Sequence, residues 1–526
     1  MAGTVRRMEQ PRHWSGHLAG GGDGDAAFVL PEPGALVGAC VRRLIGDPDR
    51  RLLHGTWSRA AEDHPVWISR GEFLDLTEVM AGRLGEAGLE AGDRVLISGP
   101  SSIDLVAAHF ACLRLGLVVV PTNGAYREAE LSHVVDDCRP RAALVDHDGW
   151  ADRLAALDSD LVVSGTAVDL ADGGARAVLD RNSPDDPAVI GYTSGTTGRP
   201  KGAVLTQANL LAGALSVQLA WRWSDSDRLL LCLPLFHMHG LGVGLHGTLL
   251  AGGSAVLQSG FDPDAVFDGL ADHRCSMFFG VPTMYHRLAD HRRVADLGAL
   301  RLCVAGSAPL AATLHGRLAT EAGVAVLERY GMTETVMLVS NPFDGERRAG
   351  AVGIPLPGVD LRLAEGSGEI LVRGPNVFAG YWERPEATDE AFVADLDGGG
   401  AWFRTGDLGA VDADGYVSIV GRAGDLIITG GFNVYPREVD DALVAHPAVA
   451  EVAVAGIGSD EWGEEVVAWV VPPDGVECPS VDELRAFARD RLASYKLPRR
   501  VVAVDTLPRN ALGKVMRHEL RLTDPG

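Results

Sequence analysis

The sequence contains no CxxC pair, no long unbroken apolar run, no internal repeat and no excess of positive charge, and each absence removes a class of protein. Its seven cysteines (Cys40, Cys112, Cys138, Cys232, Cys275, Cys303 and Cys478) are odd in number and scattered, which excludes a disulfide framework or a zinc ribbon and suits reduced, buried thiols. A formal net charge of −24 argues against a general nucleic-acid binder, which needs a concentrated basic surface, and reads as a solvated acidic exterior. The most apolar stretch, residues 105–121, is interrupted by His109, Arg114 and Gly116. It reads as a buried helix from Leu105 to Leu115 feeding a strand from Leu117 to Val120, not as a membrane span. Residues 1–25 carry Arg6 and Arg7 without a following apolar core, so no signal peptide is read there and a cytoplasmic location is expected.

What is present is the composition of an ordinary folded chain: 526 residues, 46% hydrophobic and 22% charged, enough for two or three domains. Residues 1–34, Gly- and Asp-rich at first, read as a loose extension. From 35 onward, helical patterns alternate with short strands such as Arg94 to Ser98, Ala142 to Val145, Arg228 to Leu233, Ser254 to Leu257 and Leu300 to Ala305, which predicts α/β layers. Residues 361–419 lose the helical pattern and read as a small β-rich subdomain. Beyond a boundary at Gly421 to Asp425, strands at Glu451 to Ala455 and Val466 to Val471 predict a compact α+β domain over 423–526. Its helix opens at the capping box Ser480–Glu483 and continues with Leu484, Phe487, Ala488 and Leu492 at helical spacing.

The most informative segment runs from Tyr192 through Thr193, Ser194, Gly195, Thr196, Thr197, Gly198, Arg199 and Pro200 to Lys201 and Gly202, just after an apolar strand pattern at Ala188 to Ile190. Glycines let main-chain N–H groups turn toward a phosphate, hydroxyls add donors and Lys201 adds charge; a bare surface turn requires none of these. It is not a Walker A loop, because Lys201 is followed by Gly202 and not by Ser or Thr. The heptapeptide Arg329 to Thr335 supplies a tyrosine able to stack on a purine, a threonine able to bond phosphate and a carboxylate able to hold Mg2+. As an isolated heptapeptide it would equally suit a turn with a buried tyrosine. In Phe403-Arg404-Thr405-Gly406-Asp407, the carboxylate of Asp407 can accept two ribose hydroxyls, although an Asp after Gly is most often a turn residue. Gly421-Arg422 and Pro508 to Lys514 complete the set.

Two patterns are decoys. Gly242-x-Gly244-x-x-Gly247 matches a dinucleotide fingerprint, but Pro234 to His239 precedes it where a strand is demanded; these glycines are expected to allow close helix packing. His237, His239 and His246 lack neighbouring Cys, Asp or Glu and are expected to line a pocket or pack, not to bind a metal.

YTSGTTGRPKG, with the other motifs in order from about residue 70 to 520, resembles the signature of the adenylate-forming superfamily of acyl-CoA synthetases, adenylation domains and luciferases. The resemblance implies an ATP-dependent carboxylic acid–CoA ligase that forms an acyl-AMP. Its cofactors would be ATP, Mg2+ and coenzyme A, and its fold a large N-terminal domain followed by a small mobile C-terminal one. Thr193 to Gly198 and Lys201 would hold phosphates. Tyr330 would sit beside adenine, Thr333 on the α-phosphate, Glu334 on magnesium, Asp407 at the ribose and Arg422 at the ribose or phosphate, with Gly331 also among the nucleotide-binding residues. Lys514 matches the catalytic lysine, and Thr193, Glu334 and Lys514 are read as the catalytic set. The family's hinge position is Gly424 here, a glycine in place of Lys or Asp. Rotation about it would withdraw Lys514 and bring up Gly430 and Gly431 beside pantetheine. An acyl pocket is implied at His237, Gly280, Met284, Ala305, Gly306, Ser307, Met332 and Met337.

Residues 234–240, 279–287 and 348–357 resemble malonyl-CoA synthetases, and the expected acid is small or medium in size, with malonate or a related dicarboxylate a candidate. A second carboxylate needs a cation or several donors. An arginine that some of these enzymes carry is Gly260 here, leaving Arg287, His286 or His239 as substitutes. The alternatives are an enzyme that loads a carrier-protein thiol and a nucleotide-binding regulator without turnover.

Overall fold

Apolar runs of four or five residues are too short for helices; buried on both faces, they become interior strands of parallel sheets. The computed structural model describes residues 14, 28–32, 34–58, 65–167, 178–193, 200–394, 400–429, 432–459, 462–510 and 513–520. It divides into two compact units, residues 1–361 with 372–403, and residues 362–371 with 404–526.

The larger unit holds two sheets. In one, the order is Gly380–Tyr381, Lys201–Thr206, Pro187–Thr193, Val118–Pro121, Arg94–Ser98, Ala142–Val145 and Val162–Ser164. Its inner strands are parallel and every residue of Ala142–Val145 is buried. In the other, the parallel core consists of Leu327–Tyr330, Leu302–Ala305, Met277–Gly280, Arg228–Leu231, Ser254–Leu257 and Arg51–Gly55. Antiparallel strands flank it at both edges. The expected strands thus form; those expected at 228–233 and 300–305 are each two residues shorter, and the one expected at 188–190 extends to Pro187–Thr193.

Residues 105–121 resolve into the helix Ile103–Leu115 and the strand Val118–Pro121. The Ser102 hydroxyl caps the helix by accepting the Leu105 N–H at 3.1 Å, and Gly116 ends it at φ 85°. Its buried Arg114 is neutralised by Asp180 at 3.0 Å, and its buried Asp104 accepts from the Ser58 hydroxyl at 2.9 Å. Among the described residues no helix is long and apolar enough to cross a membrane. All seven cysteines are free, and all but Cys478 are buried. Of residues 1–27 only Trp14 is described; it is 1% exposed and its indole donates to the Pro355 carbonyl at 2.8 Å.

The smaller unit is α+β. Strands Glu451–Ser459 and Gly463–Val471 pair antiparallel, Arg500–Ala503 joins them in parallel, and helices Pro436–Leu443 and Val481–Ala488 pack on one face. The capping box forms: Ser480 Oγ accepts the Glu483 N–H at 3.3 Å and Glu483 Oε2 accepts the Ser480 N–H at 2.8 Å. The helix ends at Ala488, before Leu492, which is nonetheless buried in the same core. A terminal helix is expected after Lys514, but among the described residues only the short turn Arg517–Glu519 follows.

Candidate active site

In open α/β sheets the carboxyl ends of parallel strands are where ligands gather, because chains leave the sheet there and open a crevice. In the larger unit Gly280, Ala305, Tyr330 and Thr193 are each the last residue of a strand. The glycine-rich segment joins Pro187–Thr193 to Lys201–Thr206, which pair antiparallel with Thr193 opposite Lys201. Thr193 Oγ1 donates to the Lys201 carbonyl at 3.4 Å, closing the mouth of the loop. Ser194, Gly195, Thr196, Thr197 and Gly198 lie outside the described residues.

The turn Thr333–Thr335 lies against this hairpin. A Cβ on Gly191 would meet Thr333 Cγ2 at 2.5 Å, so the absent side chain at Gly191 is what admits Thr333. Glu334 is 4% exposed; its Oε1 accepts the Tyr381 hydroxyl at 3.1 Å. Burial, reinforced by the Glu334 charge, holds the Tyr381 phenol well above its usual pKa, so it stays a donor. Lys201 Nζ stands 5.2 Å from the Tyr381 ring centre. Hydroxyls, a carboxylate and an ammonium are thereby gathered beside the loop: Thr193, Thr333, Glu334 and Lys201. Tyr381 belongs with them, although sequence reading passed over it; its only signal is an aromatic beside Gly380, where the backbone turns to pair with Lys201–Thr206.

Val336, next in this turn, adopts φ 56°, a strained value for a β-branched residue. It is wedged against Gly213 and Gly242, whose Cβ atoms would lie 2.7 and 3.1 Å from its side chain. Gly244 and Gly247 likewise admit Leu231 and Trp223. The Gly242–Gly247 pattern is thus a close-packing device, within residues 239–251 and with no strand leading into it.

The implied acyl-pocket residues cluster at neighbouring strand ends. His237 Nδ1 accepts the His239 N–H at 3.3 Å, and His239 stacks on Phe279 at 6.3 Å. Burial, and secondarily the nearby Arg329, holds the His237 pKa down to about 4 and that of His239 well below the usual imidazole value. His246 faces His109 at 2.9 Å between Nε2 atoms, a buried packing pair. Ala305 is buried, Ser307 takes φ 69°, and Met284 packs against the core that holds Phe278 and Tyr285. Gly280 abuts the rings of Phe278 and Tyr285, and Met337 is buried beneath Gly331. Met332, partly buried, precedes the Thr333 turn. His286 and Arg287 are exposed, with Arg287 over the Phe261 ring. Among the described residues no group of three or more His, Cys, Asp or Glu is placed to hold a metal.

In the smaller unit the antiparallel register sets Asp407 opposite Arg422, and their side chains pair at 2.9 Å. The preceding residues fix that strand. Arg404 pairs with Glu369 at 2.8 Å, Thr405 Oγ1 donates to the Ile370 carbonyl at 2.8 Å, and Gly406 takes φ 69°. Asn510 Oδ1 accepts the Lys514 N–H at 3.0 Å, which folds the Pro508–Lys514 loop back on itself. The Lys514 pKa is lowered to about 8, chiefly by burial and next by Arg422, with Asp407 and Asp425 opposing the shift. Asp407, Arg422 and Lys514 are therefore electrostatic neighbours. Gly424 sits in the turn Ala423–Asp425; Gly430 and Gly431 lie outside the described residues.

A family model described as AMP-binding enzyme matches residues 44–382, and one described as AMP-binding enzyme C-terminal domain matches residues 438–514. Among curated relatives, a feruloyl-CoA synthase of Amycolatopsis sp is 40% identical over 493 residues, spanning 90% of this chain and 97% of that protein. A malonate–CoA ligase of Arabidopsis thaliana is 36% identical over 479 residues, spanning 82% of this chain and 78% of that protein. Among solved structures, ATP-bound MatB from Rhodopseudomonas palustris superposes with a TM-score of 0.84 at 39% identity, covering 92% of this chain and 97% of that one.

Proposed function

The chain belongs to the family of AMP-binding enzymes and is an AMP-forming acid–CoA ligase using ATP, Mg2+ and coenzyme A; on that premise we propose how its own residues divide the reaction. The supporting observation is the pair of polar clusters, one in each unit: Thr193, Lys201, Thr333 and Glu334 in the first, Asp407, Arg422 and Lys514 in the second.

The first cluster is a phosphate and metal site by its chemistry. Hydroxyls and an ammonium suit phosphate oxygens, and the Glu334 carboxylate is a hard oxygen donor of the kind Mg2+ takes. The magnesium ion, when bound, offsets phosphate charge. Glu334 would hold it, Tyr381 fixing the orientation of that carboxylate, and Thr193 and Thr333 would donate to phosphate. Asp407 accepts from ribose, with Arg422 holding the carboxylate in place.

In the first half-reaction an oxygen of the acid attacks the α-phosphorus of ATP, the bond to the bridging oxygen breaks, and pyrophosphate leaves. Lys514 supplies positive charge where negative charge builds up in that transition state. In the second, the CoA thiolate attacks the acyl carbon and AMP leaves with the electron pair of the anhydride bond. Rotation about Gly424 would exchange Lys514 for the loop from Thr429, so the 423–526 segment acts as the mobile domain. The substrate is a small or medium carboxylic acid that enters past His237, Ala305, Gly306 and Met332.

Lys514→Ala tests the assignment. Pyrophosphate release is expected to fall by at least about a hundredfold, while thioester formation from supplied acyl-AMP stays within a few-fold of the parent. Equal losses in both halves would refute it.

A further inference from the structure

The loop that carries Lys514 is braced from outside itself. The Asn510 N–H donates to the Lys514 carbonyl at 2.9 Å, and Arg509 bridges antiparallel to Val515, so the lysine stands on a hairpin. Arg509 braces the near side, donating to the Gly513 carbonyl and pairing with Glu451, each at 2.5 Å. Arg517, three residues beyond the lysine, braces the far side. Its Nε donates to the Val454 carbonyl at 3.0 Å, and its Nη2 donates to Asp440 Oδ2. Both braces end on the strand Glu451–Ser459 in the smaller unit.

That strand lies at the edge of its sheet, paired only with Gly463–Val471 among the described residues, so one side of its main chain needs other partners. The Asp440–Arg517 pair supplies them at Val454. Asp440 Oδ1 accepts the Val454 N–H at 2.8 Å, and Arg517 takes the carbonyl of the same residue. One carboxylate, on the helix Pro436–Leu443, therefore ties helix, strand and the turn Arg517–Glu519 together. Its side chain is 15% exposed, and burial pushes its pKa up to about 6 against the opposing charge of Arg517. It is ionised near pH 7, where removing either partner leaves the other charge poorly compensated.

We infer that Arg517, held by Asp440, is a positioning residue for Lys514, on which the first half-reaction depends and the second does not. This rests on the ligase reading above and deepens it by naming what aims the lysine. A misplacement of about 1 Å in a charge-stabilising group costs roughly a hundredfold in rate, so a hairpin end free to drift would disable Lys514 without unfolding the domain. In the second half-reaction the lysine is withdrawn and its aim is idle. Arg517 also acts through its charge. It lowers the Lys514 pKa together with Arg422, against Asp407 and Asp425. Loss of that charge raises the pH at which the lysine deprotonates, a signature that a merely structural brace lacks.

The full-length enzyme is assayed in each half-reaction with the best-used acid among acetate, malonate, ferulate and indoleacetate. Pyrophosphate release reports the first half, and thioester formation from the supplied acyl-AMP and CoA reports the second. In Arg517→Met pyrophosphate release is expected to fall by at least about tenfold, with thioester formation within about twofold of the parent. The alkaline limb of its pyrophosphate profile should move above the parent's. Arg517→Lys keeps the charge but cannot bond Val454 and Asp440 at once, so it should lose about fivefold with the limb unmoved. Asp440→Asn keeps the shape and lacks the charge, and a loss of about tenfold confined to the first half is expected. Thermal melting reports folding; should Arg517→Met fail to fold, the other two substitutions carry the test. Equal losses in both halves, or pyrophosphate release unaffected by every substitution, would overturn the inference and leave the ligase reading standing. A parent enzyme that releases pyrophosphate with none of the acids would overturn that reading and this inference with it.

Discussion

Lys514 is one of three lysines in the chain, with Lys201 and Lys496, and the three occupy different environments. Lys496 is tied to Glu438 at 2.6 Å, and Lys201 lies over the Tyr381 ring. Lys514 instead titrates near pH 8, mainly because burial disfavours its ammonium form. Its proposed task requires that charge, so pyrophosphate release should decline as pH rises through about 8 while thioester formation from supplied acyl-AMP does not follow the same curve. Parallel pH profiles of the two half-reactions, each with saturating substrates, check this. The same shift has a stability consequence of the opposite sign. The folded pKa of about 8 is below the ordinary 10.5, so the unfolded chain binds the extra proton between these values; the cost of burying Lys514 is present below pH 8 and fades above it.

At the level of elements, the short hairpin Val339–Ser340 with Ile354–Pro355 supports the strand Leu327–Tyr330 that carries Arg329 and Tyr330. Gly353 makes that hairpin possible. It adopts φ 106°, and a Cβ there would overlap the main chain of Ser340 and Asn341. Gly353→Ala is therefore expected to cost at least about 2 kcal/mol, combining a forbidden backbone region with a main-chain clash that no rotamer relieves. Chemical denaturation of the full chain measures it. An unchanged midpoint would mean the hairpin re-forms differently. The Ser480 capping box carries far less, about 1 kcal/mol on Ser480→Ala, because exposed N–H groups left without a cap are still met by water.

For the whole molecule, the proposed mechanism needs 423–526 to present two different surfaces in turn. Gly424 lies in the turn Ala423–Asp425 that follows the strand ending at Arg422. Gly424→Pro would fix φ and remove a main-chain donor, so thioester formation in single-turnover experiments should slow by more than about tenfold while pyrophosphate release changes less. A uniform effect on both halves, or none, would remove Gly424 from the hinge.

Much of this was readable in the chain itself. The strands at Arg94–Ser98, Ala142–Val145 and Ser254–Leu257 follow from short apolar runs between turn residues, and the helix at 103–115 from an apolar stretch too polar to span a bilayer. The ligase class followed from the resemblance of the ordered motifs to the adenylate-forming superfamily, and their residue types suit phosphate, ribose and magnesium. Three features depended on tertiary structure. Tyr381 beside Glu334, the register that opposes Asp407 to Arg422, and the burial of Arg329 against Gly306 all join positions far apart in the chain. A sequence records which side chains can donate, accept or carry charge, because those are properties of single residues. Whether a guanidinium finds a carboxylate is a property of packing, and only the folded chain decides it.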